Sequence, residues 1–78
     1  MDLHRLYERW GRRLRERRQG LYTQRQLARR VGVTQATISK WESGDLAMPD
    51  AMKVRVAAVF DASLDELFPW PLDVCRAA

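Results

Sequence analysis

The side chains best suited to directed recognition lie in one run, TQRQLARRVGVTQATISKWESG, at residues 23–44. Within it, four residues fall at spacings of one, three and four: Gln35, Ala36, Ser39 and Lys40. Such spacings place side chains on one face of a helix. Glutamine amides pair with adenine, lysine with guanine, and small apolar groups contact the thymine methyl. The residue types therefore suit base edges, although without further context a solvated helix face is the favoured interpretation.

Two short helices and a tight corner must position these side chains. Thr23 and Gln26 have the spacing of a capping box, and Thr34 is a good N-cap for the following helix. The connection 32–34 is too short for antiparallel packing, and Gly32 can adopt a positive φ. We predict a helix-turn-helix corner with these residues inside: Leu27, Ala28, Val31, Val33, Ile38 and Trp41. The Trp41 indole N–H is expected at the surface.

Helical periodicity extends over the whole chain and predicts an all-α fold of five helices. They cover about residues 3–18, 24–31, 35–43, 49–60 and a short segment from 63. The first has one apolar face, made of Leu3, Leu6, Trp10 and Leu14. The fourth is expected to bury some combination of Val54, Ala57 and Phe60. In the fifth, Ser63 and Glu66 have the spacing of a second capping box.

Length sets the domain organisation. The chain has 78 residues, 46% of them hydrophobic, which suffices for one modest core. We assign residues 1–70 to a single domain and residues 71–78 to a tail. Two apolar residues, Trp70 just before this tail and Leu72 within it, either fold back on the core or meet a second subunit, and both alternatives stay open.

Charge and composition limit the classes of function. Residues 1–30 contain ten arginines against three acidic residues, which indicates a polyanionic partner, either nucleic acid or an anionic membrane surface. One histidine and one cysteine, His4 and Cys75, lie at opposite ends, so neither a disulfide nor a metal site is expected. We see no nucleophile with a spaced base and no phosphate-binding glycine loop. The sequence predicts no enzyme, cofactor or small-molecule substrate. No apolar run approaches the roughly 20 residues that span a bilayer.

A family resemblance follows from one pattern of residues: Gln24-x-x-Leu27-Ala28-x-x-x-Gly32-Val33-x-x-x-x-Ile38-Ser39-x-Trp41-Glu42-x-Gly44. It resembles the motif of the Cro/phage-repressor (XRE-type) helix-turn-helix family, and Pro49 followed by ASLDELF resembles that family's last two helices. The resemblance covers about residues 10–68. It implies a lambda-repressor-like DNA-binding domain.

The resemblance also implies a role for each matching residue. Contacts to bases in the major groove are expected from Gln35, Ala36, Ser39 and Lys40. Contacts to the DNA backbone are expected from Gln24, Thr23, Thr37, Ser43 and, on the first helix, Arg13. Gln24 should in addition support Gln35. Glu42 matches an acidic residue that pairs with an arginine at the end of the first helix. An ungapped comparison with the family gives Arg17 as this partner. Arg18 stays open as the alternative partner, because the glycine of the loop after the first helix comes one residue earlier than is usual in the family.

The function implied is a sequence-specific double-stranded DNA-binding transcriptional regulator, acting as a Cro-like repressor on a near-palindromic operator. We expect a homodimer, at least on DNA, in the cytoplasm of a bacterium or a phage-infected host. Alternatives are an antitoxin-type regulator that also binds a toxin, and a protein-interaction adaptor on the same fold. A membrane-surface role for the basic first helix is disfavoured by the capped helices that follow it.

Overall fold

The computed structural model describes residues 3–69, and five α-helices lie within this range. They are α1 (Leu3–Arg18), α2 (Gln24–Val31), α3 (Gln35–Ser43), α4 (Asp50–Val59) and α5 (Leu64–Leu67). The predicted all-α fold of five helices is confirmed. None of these helices is long and apolar enough to cross a membrane. The predictions for Trp70, Leu72 and the tail 71–78 lie outside the described residues.

Local capping explains where α2 and α3 begin and end. The Thr23 hydroxyl accepts from the Gln26 backbone N–H at 3.1 Å, and the Gln26 side chain accepts from the Thr23 backbone N–H at 2.9 Å. Both halves of the predicted capping box are therefore present. Thr34 caps α3 in the same way, through the Thr37 backbone N–H at 3.2 Å. Gly32 ends α2 with a φ of 88°, in the left-handed region that favours glycine.

The capping of α5 differs from the prediction. The Ser63 hydroxyl accepts from the Glu66 backbone N–H at 3.2 Å, as expected. The Glu66 carboxylate, however, accepts from the Ser63 hydroxyl at 3.4 Å, and within residues 3–69 nothing accepts from the Ser63 backbone N–H. This carboxylate also lies 3.9 Å from the Arg17 guanidinium of α1. Only half of the second capping box forms, because its acidic side chain turns towards α1.

The core lies where α3 packs against both α1 and α2, and α4 and α5 close it. Its largest fully buried side chains are Leu14, Leu27, Val31, Ile38 and Val56. On α4, Ala57 and Phe60 are buried as predicted, but Val54 is 56% exposed. Two residues correspond to about 200° of helix rotation, so a helix that buries Val56 turns Val54 to solvent.

The backbones of α1 and of the last turn of α3 meet closely. Gly11 is buried on α1, and a Cβ built there would overlap the carbonyl oxygens of Trp41 and Glu42. A Cβ at Gly44 would lie 2.8 Å from the Cα of Glu8. Two glycines, one on each partner, therefore permit this crossing.

The two core tryptophans differ in how their indole N–H groups are bound. Trp10 Nε1 donates to the Pro69 carbonyl at 2.9 Å and so ties the end of the described chain to α1. Trp41 Nε1 is buried and has no hydrogen-bond partner among residues 3–69. The predicted surface position of the Trp41 N–H is therefore wrong, because Trp41 lies on the buried side of α3 and is only 4% exposed.

Candidate nucleic-acid interface

The outer side of α3 carries the four residues predicted to contact bases. Gln35, Ala36, Ser39 and Lys40 are all exposed. The opposite side of the same helix is buried and consists of Ile38, Trp41 and Glu42. Thr23 and Gln24 lie at the start of α2, next to Gln35. We call these six outward residues the α2–α3 surface: Thr23, Gln24, Gln35, Ala36, Ser39 and Lys40.

Gln24 connects the two helices of this surface. Its Nε2 donates to Glu42 Oε1 at 3.0 Å. Gln35 Nε2 lies 3.5 Å from Gln24 Oε1, at the outer limit of a hydrogen bond. The contact expected between the two glutamines is thus present. A chain of side chains runs from the buried Glu42 to the exposed Gln35 and restricts the position of the Gln35 amide.

A buried ion pair between α1 and α3 anchors this chain. Arg18 Nε donates to Glu42 Oε2 at 2.6 Å, and Arg18 Nη2 donates to Glu42 Oε1 at 3.1 Å. The two side chains are only 12% and 5% exposed. Arg18 Nη1 also donates to the Tyr22 carbonyl at 3.1 Å, so one guanidinium holds both α3 and the loop after α1. A bidentate contact of this kind fixes the orientation of both groups.

The prediction of Arg17 as the partner of Glu42 is wrong, and the alternative, Arg18, makes the contact. Successive residues of a helix differ by about 100° in direction, so the two arginines face different neighbours. Arg17 points towards α5, where it lies 3.9 Å from Glu66. The early glycine in the loop after α1 shifts the comparison with the family by one residue.

Arg13 does not join the α2–α3 surface. Its Nε donates to the Glu66 carbonyl at 3.0 Å, and its Nη2 donates to the same oxygen. This places the Arg13 guanidinium at the junction of α1 and α5. The expected contact between Arg13 and the DNA backbone stays a prediction.

Two depressions border α3 on either side of Gln24. The first is lined by Thr23, Arg25 and Gln35 among others, and the second by Arg15, Ser39 and Ser43 among others. Arg15 and Arg25 were not among the predicted contacts. Arg15 follows Gly11 by four residues, so helical spacing from the residue that contacts α3 could have identified it. Within residues 3–69, no three His, Cys, Asp or Glu side chains are grouped to hold a metal ion.

Comparison with known proteins defines the class. The helix-turn-helix family model matches residues 12–67, and the chain belongs to this family. With its α2–α3 corner, it is a DNA-binding transcriptional regulator of the XRE type. It is also similar to the crystal structure of the restriction-modification controller protein C.AhdI from Aeromonas hydrophila, with a TM-score of 0.79 and 28% sequence identity. That similarity covers 87% of this chain and 100% of C.AhdI. No curated protein matches the chain.

Proposed function

We propose that the protein is a Cro-like repressor that binds a near-palindromic operator as a homodimer. The observation that carries this proposal is the division of α3 into two sides. Three residues of α3 are buried in the core, while four exposed residues present amide, methyl, hydroxyl and ammonium groups to solvent. In helix-turn-helix proteins the second helix of the corner enters the major groove and the first crosses the backbone. Here these helices are α3 and α2.

The proposed roles follow from where each side chain lies. Contacts to base edges come from Gln35, Ala36, Ser39 and Lys40, all exposed on α3. Contacts to the backbone come from Thr23, Gln24, Thr37 and Ser43. The start of α2 offers backbone N–H groups and the positive end of the helix dipole, both of which favour a phosphate. The Thr23 hydroxyl accepts one hydrogen bond inside the protein and keeps its own proton for an external acceptor.

A homodimer is supported by exposed apolar side chains away from the α2–α3 surface. Val54 on α4 is 56% exposed, and Leu64 on α5 is 45% exposed. These two helices pack against each other. A two-fold dimer through α4 and α5 would present two copies of α3 to half-sites about one DNA turn apart, roughly 34 Å. Bound across a promoter, such a dimer would occlude polymerase.

The similarity to C.AhdI favours a second candidate role, the control of restriction and modification genes. This role would use the same DNA-binding surface and would differ in the genes regulated and in the sign of regulation. DNA fragments selected from the genome of the source organism would separate the two roles. Enrichment of promoters beside restriction or methyltransferase genes would support the controller role.

The test of the proposed function is selection of bound duplexes from a random pool with the purified protein. We expect an enriched near-palindrome with two half-sites. Lys40→Ala and Gln35→Ala should each weaken binding to the selected duplex by about 1–3 kcal/mol and change binding to scrambled DNA little.

Arg9→Ala is the matched control, since it removes one positive charge from an exposed position of α1. Arg9 lies two residues from Gly11, which contacts α3, so helical geometry turns Arg9 to the opposite side. Equal losses on selected and scrambled DNA for Lys40→Ala would contradict direct base reading. Failure to enrich any duplex, with all three variants unchanged, would favour the protein-interaction adaptor.

A further inference from the structure

We propose that Arg15 of α1 binds a phosphate of the DNA backbone in a groove between α1 and α3, and so helps to set the position of α3 on the duplex. The inference rests on the proposed function. The groove has a volume of about 270 Å³ and is lined by Arg15, Arg18, Gln24, Ser39, Glu42 and Ser43. We call it the Arg15 groove.

Its charges favour an anion. The acidic group at its base, Glu42, is 5% exposed and is bound by both Arg18 and Gln24. The charges of Arg18 and Glu42 therefore compensate each other inside the protein. Arg15 supplies the remaining charge, and a phosphate that enters the groove meets an exposed guanidinium before it meets the carboxylate.

Three other arginines on the second half of α1 bind groups of the protein itself, and the Arg15 side chain does not. Arg13 donates to the Glu66 carbonyl, Arg17 lies near the Glu66 carboxylate, and Arg18 binds Glu42. The Arg15 side chain forms no hydrogen bond or ion pair with any residue in the range 3–69. The planar guanidinium carries five N–H donors in an arrangement that matches two phosphate oxygens. The donors of Arg15 are available for such a contact.

The groove adjoins the residues proposed to read bases. Ser39 lines it and precedes Lys40, and the Ser39 hydroxyl also has no partner within residues 3–69. The neighbouring depression, which includes Thr23 and Arg25, shares Arg18 and Gln24 with the Arg15 groove. The two depressions thus form one continuous band beside α3. Because phosphates border the major groove along its length, a duplex that receives α3 would bring its backbone onto this band.

The experiment compares Arg15→Gln with Arg9→Gln, which removes the same charge from the opposite side of α1. Dissociation constants are measured for the selected operator and for scrambled DNA at several salt concentrations, with thermal unfolding as a check on folding. Arg15→Gln should weaken binding to both duplexes by about 10-fold or more, because hydrogen bonds to charged groups contribute more free energy than hydrogen bonds between neutral groups. The slope of log K against log salt should fall by about 1 for each protomer bound. Arg9→Gln should change affinity by less than about 2-fold.

Arg15→Lys separates charge from geometry. It should keep most of the salt slope while losing part of the affinity, because an ammonium cannot make the bidentate contact. Equal affinities and slopes for Arg15→Gln and Arg9→Gln would overturn the inference and leave the proposed function intact. If no operator is enriched, a selective loss by Arg15→Gln on scrambled DNA would still support the phosphate contact while the proposed function fails. Absence of binding to any duplex would overturn both.

Discussion

Replacing Arg18 by alanine should destabilise the protein far more than replacing its neighbour, Arg17. The Arg18 guanidinium makes two hydrogen bonds to the Glu42 carboxylate and one to the Tyr22 carbonyl. In Arg18→Ala, the Glu42 carboxylate stays buried and keeps only the Gln24 amide as a donor. The change therefore leaves an uncompensated charge in the protein interior.

The magnitude follows from the burial of the pair. Removing one partner of a buried ion pair costs about 3–5 kcal/mol. The two side chains are 12% and 5% exposed, which is well buried, but the Gln24 amide partly compensates. We therefore expect a loss of about 3 kcal/mol in the free energy of unfolding. For a domain of this size, that corresponds to a fall in Tm of about 12–24 °C.

The measurement is thermal and urea unfolding followed by circular dichroism, with Arg17→Ala as the matched control. Arg17 lies 3.9 Å from Glu66, and the two side chains are 47% and 58% exposed. Such surface pairs contribute between about 0 and 1 kcal/mol. A double variant, Arg18→Ala with Glu42→Gln, removes the orphaned charge and should recover about 1–2 kcal/mol relative to Arg18→Ala.

Two results would refute this reasoning. Equal losses for Arg17→Ala and Arg18→Ala would show that the pair with Glu42 does not have the geometry described. A double variant no more stable than Arg18→Ala would show that the loss comes from side-chain packing and not from the orphaned carboxylate.

Two further predictions concern the backbone. Gly11→Ala should lower the free energy of unfolding by about 1–3 kcal/mol in urea, because its Cβ overlaps the Trp41 and Glu42 carbonyls; the general helix preference for alanine predicts the opposite sign. Thr23→Ala should cost about 1 kcal/mol in thermal unfolding through loss of the hydroxyl that caps α2. Thr23→Ser keeps that hydroxyl and should retain most of the stability, so equal losses in the two variants would contradict the capping explanation.

The helices and the α2–α3 corner were predictable because their determinants are local. Thr23 and Gln26 are three residues apart, as are Thr34 and Thr37, so the capping contacts can be read from the spacing alone. Gly32 ends α2 for a reason that depends only on its own backbone conformation. Both the type and the limits of α2 and α3 follow from such contacts.

The side-chain contacts of α1 depend on residues in distant parts of the chain. Arg13, Arg15 and Arg17 are close in sequence, yet α5 binds the first and third while the second borders α3. The sequence shows that α1 has an apolar face but does not show which helix lies on each side of it. The same limit applies to Trp41, whose indole N–H is buried in the folded protein.

The division of α3 into a buried and an exposed side separates what the helix needs to fold from what it offers to a partner. Ile38, Trp41 and Glu42 hold its position, and none of the exposed Ala36, Ser39 and Lys40 side chains contributes to the core. Substitutions at the exposed positions therefore carry little risk to folding. A descendant of this chain, or a designed variant, could acquire a new DNA target by changing a few side chains on an unchanged scaffold.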